Sequence, residues 1–373
     1  MTGIGFAADH TLEPAVDTGA YRGVELESDV TVLFGRNAAG KSVLLEAAAF
    51  AAAPNGIETF AGDDGRFVLI RTLDGAQDYW YGLSASFDYI GEFFRSDTSC
   101  LWTKDLGGGA TGLELNGKQK KAWPRHVTFL HDGGAELPNE AVGTRRLLLG
   151  VRLVRAGLPR YGGRERVLFT RRSQRAGHLR AGEAVASWAC DTDDERVRQL
   201  GNRLCDWADH DAPERREFEA VCRRIGIDGD LAFERRDDSA AFADIAVLTA
   251  GGVNLGYHSD GTLRIYEIVA SLVDPEATVV LIDEPETGVH PGLLRRLLAE
   301  FETYASEKQI VLATHSPEVV SWANPKSLRL VTWQDDHPVA RQLTEDEQRR
   351  VVAYLEDDGD LADFVYRGGL DES

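Results

Sequence analysis

Apolar positions run along this chain in two rhythms, and the changes between them mark the elements. From Val30 to Phe34 they form an unbroken run that ends at Gly35, and helix-spaced positions follow, with Leu44, Leu45, Ala48 and Ala49 on one face. This predicts a strand buried on both faces, a tight loop, and a helix that starts at Ser42 and stops at Pro54-Asn55-Gly56. Ile4–Ala7 and Tyr21–Leu26 read as short strands ahead of it. Between 57 and 140 the strand-like segments Phe67–Thr72, Tyr79–Phe87 and Leu113–Leu115 are set off by Asp74-Gly75, Gly107-Gly108-Gly109 and Asn116-Gly117, which predicts antiparallel β structure. Asp194–Trp207 and Pro213–Ile225 read as helices, and Phe233–Arg236 and Ala243–Leu248 as strands returning to the core. Two more unbroken runs, Ala277–Ile282 and Gln309–Thr314, predict buried strands. Thr344-x-x-Glu347 is a capping box that opens one last helix.

Length changes this picture little: 373 residues suit about two domains and a large core. Charge changes it more. The net value of −20 describes a surface that repels phosphate backbones, so any nucleic-acid contact needs a local basic patch. One stretch has that character. From 141 to 180 the chain carries Arg145, Arg146, Arg152, Arg155, Arg160, Arg164, Arg166, Arg171, Arg172, Arg175 and Arg180 against the single acid Glu165. Guanidinium groups suit phosphate contact; the competing reading is an arginine-rich face paired with the protein's own acids or a partner's. Aromatic residues are sparse there, so a stacking platform for single strands is not expected. Cys100, Cys190, Cys205 and Cys222 form no Cys-x-x-Cys pair, which fits a reducing compartment and no metal knot. The acidic N-terminal stretch with Asp9, Glu13 and Asp17 lacks the order of a leader peptide, and no apolar run is long enough to span a bilayer. A cytoplasmic protein without a membrane partner is expected.

Three places carry chemistry. Gly35-Arg36-Asn37-Ala38-Ala39-Gly40-Lys41-Ser42 is a phosphate-binding loop in the context that loop requires, strand before and helix after. Glycines let successive N–H groups converge on one anion, and the helix start aims its dipole at the same point. Lys41 is expected on the β- and γ-phosphates and Ser42 on Mg2+. The run Ala277–Ile282 ends in Asp283 and Glu284: the first is placed to hold Mg2+, the second to polarise the attacking water. The run Gln309–Thr314 ends at His315. If its strand lies beside that of Asp283, the imidazole faces the γ-phosphate. A further stretch, Ser259-Asp260-Gly261, opens an apolar helix and forms a second anion-binding N-terminus, most simply for the nucleotide of another subunit.

In this order, Gly35–Ser42, Ser259-Asp260-Gly261, Asp283-Glu284-Pro285-Glu286-Thr287-Gly288-Val289-His290-Pro291 and Thr314-His315-Ser316 resemble the motifs of ABC-class ATPase heads, and more narrowly the stand-alone heads of the SMC, RecF and OLD group. The resemblance implies an α/β P-loop NTPase head with a mixed sheet core, an antiparallel β subdomain and a helical insertion. It also implies a head-to-tail homodimer with ATP and Mg2+ sandwiched between the phosphate loop of one chain and Ser259–Gly261 of the other, Glu286–His290 crossing the interface. Ala38 departs from the glycine many relatives carry. Gln77 and Gln119 are the candidates for the glutamine that senses Mg2+.

The domains expected are an ATPase head from 1–140 together with 241–373, and an arginine-rich helical insertion from 141–240. No long coiled coil, hook or transporter-type Leu-Ser-Gly-Gly-Gln signature occurs. The stretch after His315 is too short for the nuclease domain that OLD proteins append. The expected function is therefore an ATP-hydrolysing dimeric switch that controls a partner effector, such as a nuclease or toxin in bacterial anti-phage defence. The Arg145–Arg180 stretch would contact nucleic acid or that partner. The alternative is a RecF-like DNA-repair ATPase acting directly on DNA.

Overall fold

The unbroken apolar runs lie side by side in one six-stranded sheet, in the order Val151–Val154, Val279–Asp283, Gln309–Thr314, Val30–Phe34, Leu328–Gln334, His337–Gln342. The first five strands run parallel, and the last folds back as an antiparallel hairpin. Every residue of Val279–Asp283 and Gln309–Thr314 is buried, as a parallel strand covered on both faces requires. Register sets the functional edge: Asp283 pairs with Ala313, Thr314 with Phe34, and Phe34 with Leu330. The C-terminal ends of three neighbouring strands thus open along one line, and the fourth, Leu328–Gln334, runs on past them.

This computed structural model describes residues 1–7, 22–52, 67–74, 77–86, 89–96, 100–104, 112–115, 119–122, 128–132, 137–156, 168–171, 188–191, 195–236, 244–334 and 337–356. Two units make up the chain. One comprises Met1–Arg155, Glu276–Pro285 and Phe301–Ser373, the other Ala156–Pro275 and Glu286–Glu300.

In the first unit the helix Lys41–Ala52 is buried nearly all round, which explains its string of alanines: small side chains let sheets approach it closely. Leu44, Leu45, Ala48 and Ala51 join one apolar cluster with Leu33, Leu281 and Val311 of the parallel sheet and with Ile4, Val68, Ile70 and Tyr81 of a second sheet. That second sheet has eight strands, antiparallel at every pairing, running from Arg22–Glu25 through Gly3–Ala7, Phe67–Asp74, Gln77–Ser86, Tyr89–Ser96, Cys100–Lys104 and Gly112–Leu115 to Gln119–Ala122. A ring series, Tyr79 on Phe94 at 5.4 Å, Phe94 on Trp102 at 4.7 Å and Trp102 against Phe129 at 5.2 Å, fills one face. The carboxylate of Glu92 is fully buried there and accepts from the Tyr81 hydroxyl and the Phe129 amide, so its cost of burial is met by two donors. Phe129–Asp132 is a short helix where the sequence predicts continued β structure. The turn signals at 75, 107–109 and 116–117, and the helix stop at 54–56, lie outside the described residues.

In the second unit the helices Glu195–Asp209, Pro213–Ile225 and Asp260–Val273 accompany a five-stranded sheet. Phe233–Arg236 and Ala243–Leu248, expected as strands returning to the core, correspond to the strands Leu231–Arg236 and Asp244–Ala250. They pair instead with each other, and Leu168–Arg171 takes the other edge of Asp244–Ala250, which leaves that strand no edge with which to join another sheet. Arg196 holds Glu267, and Arg224 grips Glu300 with two bonds of 2.8 Å. Among the described residues no helix is long and apolar enough to cross a membrane.

Candidate functional site

The strand Val30–Phe34 releases the chain into the loop Gly35–Gly40, and the helix starts at Lys41. The loop folds tightly because Gly40 takes a φ of 91°, a left-handed conformation that glycine adopts without strain. A side chain at Gly40 would also lie 2.5 Å from Pro338 Cβ and 2.6 Å from Trp333 Cζ3, and one at Gly35 would lie 2.5 Å from the Val331 carbonyl oxygen. Two of the loop's glycines are therefore required by the hairpin next to it as well as by its own turn. Ala38 has a φ of 62°, so the position where the sequence departs from glycine is one whose backbone favours glycine.

Lys41 is 5% exposed. Its ammonium donates to the carbonyl oxygens of Gly35 at 3.1 Å and Arg36 at 3.0 Å, and to His315 Nε2 at 2.7 Å. Accepting that bond requires a neutral imidazole with Nε2 unprotonated. The electrostatics agree: burial, then the Lys41 charge, push the His315 pKa below its ordinary value, while Glu284 opposes them. A Glu284 carboxylate oxygen lies 4.0 Å from His315 Nε2.

Glu284 is held where the buried strand ends. Its amide donates to the Ala313 carbonyl at 2.7 Å, and its φ is 54°, a conformation uncommon outside glycine. Asp283 stays buried, while Glu284 is half-exposed. The sheet therefore brings Lys41, Glu284 and His315 together at the phosphate loop, with Asp283 at the end of the adjacent strand.

A Mg2+ ion fits the donor chemistry available. The Ser42 hydroxyl and the Asp283 carboxylate are hard oxygen ligands. Among the described residues no cluster of three or more His, Cys, Asp or Glu could hold a metal ion.

The Ser259–Gly261 segment belongs to the second unit. Ser259 caps the helix Asp260–Val273, accepting from the Thr262 amide at 3.2 Å, and both Ser259 and Asp260 are exposed. A Cβ on Gly261 would collide with the Gly288 carbonyl oxygen, so the helix start and the Glu286–His290 loop touch through backbone. The imidazole of His290 accepts from the Gly292 amide at 3.1 Å.

Gln77 is exposed and closes a hairpin opposite Asp74; Gln119 sits in the outermost strand of the eight-stranded sheet. In the arginine-rich stretch, Arg145 donates to the His131 carbonyl and Arg152 to the carbonyls of Leu149 and Val151, while Arg155 lies 4.0 Å from Glu46. Arg160, Arg164, Arg166, Arg172, Arg175 and Arg180 lie outside the described residues. The sequence singled out neither Trp333 nor Pro338, although both abut Gly40. The only available hint was an apolar run after His315 that ends in a tryptophan.

A comparison with protein-family models matches residues 129–321, just over half of the chain, to the family described as "AAA domain, putative AbiEii toxin, Type IV TA system". The chain belongs to this AAA-domain family. Its phosphate loop, acid pair and histidine lie on one edge of the parallel part of the six-stranded sheet. A comparison with curated proteins finds no match. Solved structures similar to this family member include an SMC head domain from Thermotoga maritima, at 12% identity and a TM-score of 0.43, over 92% of this chain and 98% of that one. An SMC head bound to the C-terminal winged-helix domain of ScpA matches at 11% identity and a TM-score of 0.49, over 94% and 99%. An SMC head with an extended coiled coil, bound to the C-terminal domain of ScpA and derived from Pyrococcus furiosus, matches at 9% and 0.47, over 95% and 99%.

Proposed function

We propose that this protein binds ATP with Mg2+ and hydrolyses it as a dimeric switch that controls a partner effector. The observation that carries the reading is the placement of His315 at the end of the phosphate loop, its Nε2 2.7 Å from the Lys41 ammonium and 4.0 Å from a Glu284 carboxylate oxygen. Lys41, which bridges two loop carbonyls and His315, exchanges these acceptors for the β- and γ-phosphate oxygens. Glu284 takes the proton of the attacking water, and the half-buried His315 contacts the γ-phosphate. Ser42 and Asp283 hold the Mg2+, whose charge offsets that of the phosphates. Ser259–Gly261 of a second copy closes over the same nucleotide, with Glu286–His290 at the interface.

The family's description, a putative AbiEii toxin of a type IV TA system, supports a toxin–antitoxin context; within that context we read the effector as a nuclease or toxin and the role as bacterial anti-phage defence. At two positions of the basic stretch the RecF-like alternative gains nothing: Arg145 and Arg152 bond the protein's own carbonyls. The test is Glu284→Gln in the full chain, assayed for phosphate release and, by light scattering, for ATP-dependent dimerisation. Lost turnover with retained ATP-dependent dimers is expected. Dimers that form without regard to ATP would overturn the switch.

A further inference from the structure

We propose that a cavity at the end of the parallel sheet opposite the phosphate loop binds a small guanidinium compound that also carries a carboxylate.

The cavity lies where two neighbouring strands begin. Val30 and Ser327 line it, and the parallel strands Val30–Phe34 and Leu328–Gln334 run from there toward the end of the sheet that holds the phosphate loop. Its volume is about 630 Å3, inside the range of roughly 300–1,000 Å3 usual for small-ligand pockets. Every residue that lines it belongs to the first unit.

Its lining carries both signs of charge. Asp29, Glu302 and Lys326 are exposed, and among the described residues none of the three forms an ion pair. Glu27 lines the cavity too, but its carboxylate already accepts from Arg329 Nη2 at 2.5 Å. Two carboxylates without a cation thus share one concave site with an ammonium without an anion. Single unpaired charges are ordinary on a protein surface; three around one cavity with an aromatic wall are suited to a ligand of mixed charge.

Trp322 is that wall, and it is held in place. Its Nε1 donates to Glu302 Oε1 at 2.7 Å, and its ring meets the buried Phe301 ring edge-on with centroids 6.3 Å apart. The indole and one of the carboxylates are therefore fixed relative to each other. A guanidinium suits the pair better than an ammonium does: its plane stacks on the indole, and its fork of N–H groups donates to carboxylates. Lys326 rises from an equally fixed backbone. Asn324 Oδ1 accepts from the Lys326 amide at 3.0 Å, and the Lys326 carbonyl accepts from Arg329 Nη1 at 2.6 Å. Its ammonium offers a partner to an anion at the ligand's other end. Guanidinium and carboxylate at opposite ends of one short molecule meet all three charges. Free arginine has this chemistry, and so does an arginine that ends a peptide.

Calorimetric titration of the full chain would compare arginine with agmatine, which lacks the carboxylate, with citrulline, which lacks the positive side chain, and with glycyl-arginine, a peptide end. Arginine or glycyl-arginine is expected to bind, the tighter of the two naming the source, with agmatine and citrulline at least about tenfold weaker. Glu302→Gln keeps an acceptor for Trp322 and removes the charge; it should weaken arginine about tenfold, as should Trp322→Ala. Lys326→Met should bring arginine down to the level of agmatine and leave agmatine unchanged, a pattern that a misfolded variant cannot give. Citrulline binding as tightly as arginine would overturn the proposal. So would a wild type that binds neither arginine nor glycyl-arginine, or an arginine affinity that neither Glu302→Gln nor Lys326→Met alters.

Discussion

The Lys41 ammonium donates to His315 Nε2 across 2.7 Å, although the two residues are 274 positions apart in the chain. A cation so close to an imidazole disfavours its protonation, and burial acts in the same direction. His315 in the nucleotide-free protein is therefore expected to titrate below its ordinary value of 6.5. The unfolded chain binds a proton at this site before the folded one does, so stability contributed here is complete above 6.5 and declines as pH falls through 6.5 toward the folded pKa. Lys41→Met removes the charge and keeps the bulk. It should raise the His315 pKa without restoring it fully, since burial remains the larger cause. Histidine proton chemical shifts followed across pH would measure this; an unmoved or lowered pKa in Lys41→Met would refute the coupling.

Ala38 offers a test of loop strain. A φ of 62° costs an alanine roughly 1 kcal/mol more than a glycine. Glycine also loses more conformational freedom on folding, by roughly 0.5–1 kcal/mol. The two effects nearly cancel. Ala38→Gly is thus expected to be neutral or to stabilise by less than about 1 kcal/mol, although an alanine-to-glycine change inside a regular helix would destabilise. Gly40→Ala should destabilise clearly, because its added methyl meets Trp333 and Pro338 as well as an unfavourable φ. Urea unfolding of both variants checks the pair. A marked destabilisation by Ala38→Gly would show that the left-handed turn is not strained.

Much of this site could be read from local spacing. The phosphate loop needs six successive residues between a strand and a helix, and Asp283-Glu284 and His315 each follow an unbroken apolar run. The sequence alone also suggested that the His315 strand neighbours that of Asp283, and the two pair from Val279 to Asp283. What sequence could not provide were relations fixed by pairing across long separations. Val151–Val154 is four residues of mixed polarity inside an arginine-rich stretch, and only its pairing with Val279–Ile282 makes it the edge strand of the core sheet. Leu231–Arg236 and Asp244–Ala250 have ordinary strand composition, which does not say which sheet they enter. Trp333 resembles any apolar strand residue until Gly40 is found beneath its ring.

Gly261 opposes two expectations with different signs. It lies in the first turn of the helix Asp260–Val273, where alanine has the better intrinsic propensity by up to about 1 kcal/mol. Yet its Cβ would strike the Gly288 carbonyl oxygen, a backbone atom with no rotamer by which to withdraw. Overpacking of this kind costs roughly 1–3 kcal/mol, so the close approach wins. Gly261→Ala should lower stability by roughly 1–2 kcal/mol in chemical denaturation. If Ser259–Gly261 and Glu286–His290 meet a second copy as proposed, ATP-dependent dimerisation should weaken in the same variant, while ATP binding to the single chain persists. A Gly261→Ala protein more stable than the wild type would rule out the close approach.

Glu284 combines a reactive carboxylate with a backbone that its side chain does not favour. Its φ of 54° costs a non-glycine residue roughly 1–3 kcal/mol, retained by the hydrogen bond from its amide to Ala313 and by Pro285 after it. Two substitutions separate the chemistry from the strain. Glu284→Gln keeps the same backbone and nearly the same shape and removes the base, so turnover should fall roughly 10²–10⁴-fold with little change in stability. Glu284→Gly removes the base and relieves the backbone as well, so it should be as inactive as Glu284→Gln yet more stable by about 1 kcal/mol. Phosphate-release rates and urea midpoints measured on the same two proteins read the two effects independently. Wild-type turnover in Glu284→Gln would remove Glu284 from the reaction. A Glu284→Gly protein less stable than Glu284→Gln by about the 0.5–1 kcal/mol that glycine's conformational freedom costs would mean that the twist at the end of this strand costs the fold nothing.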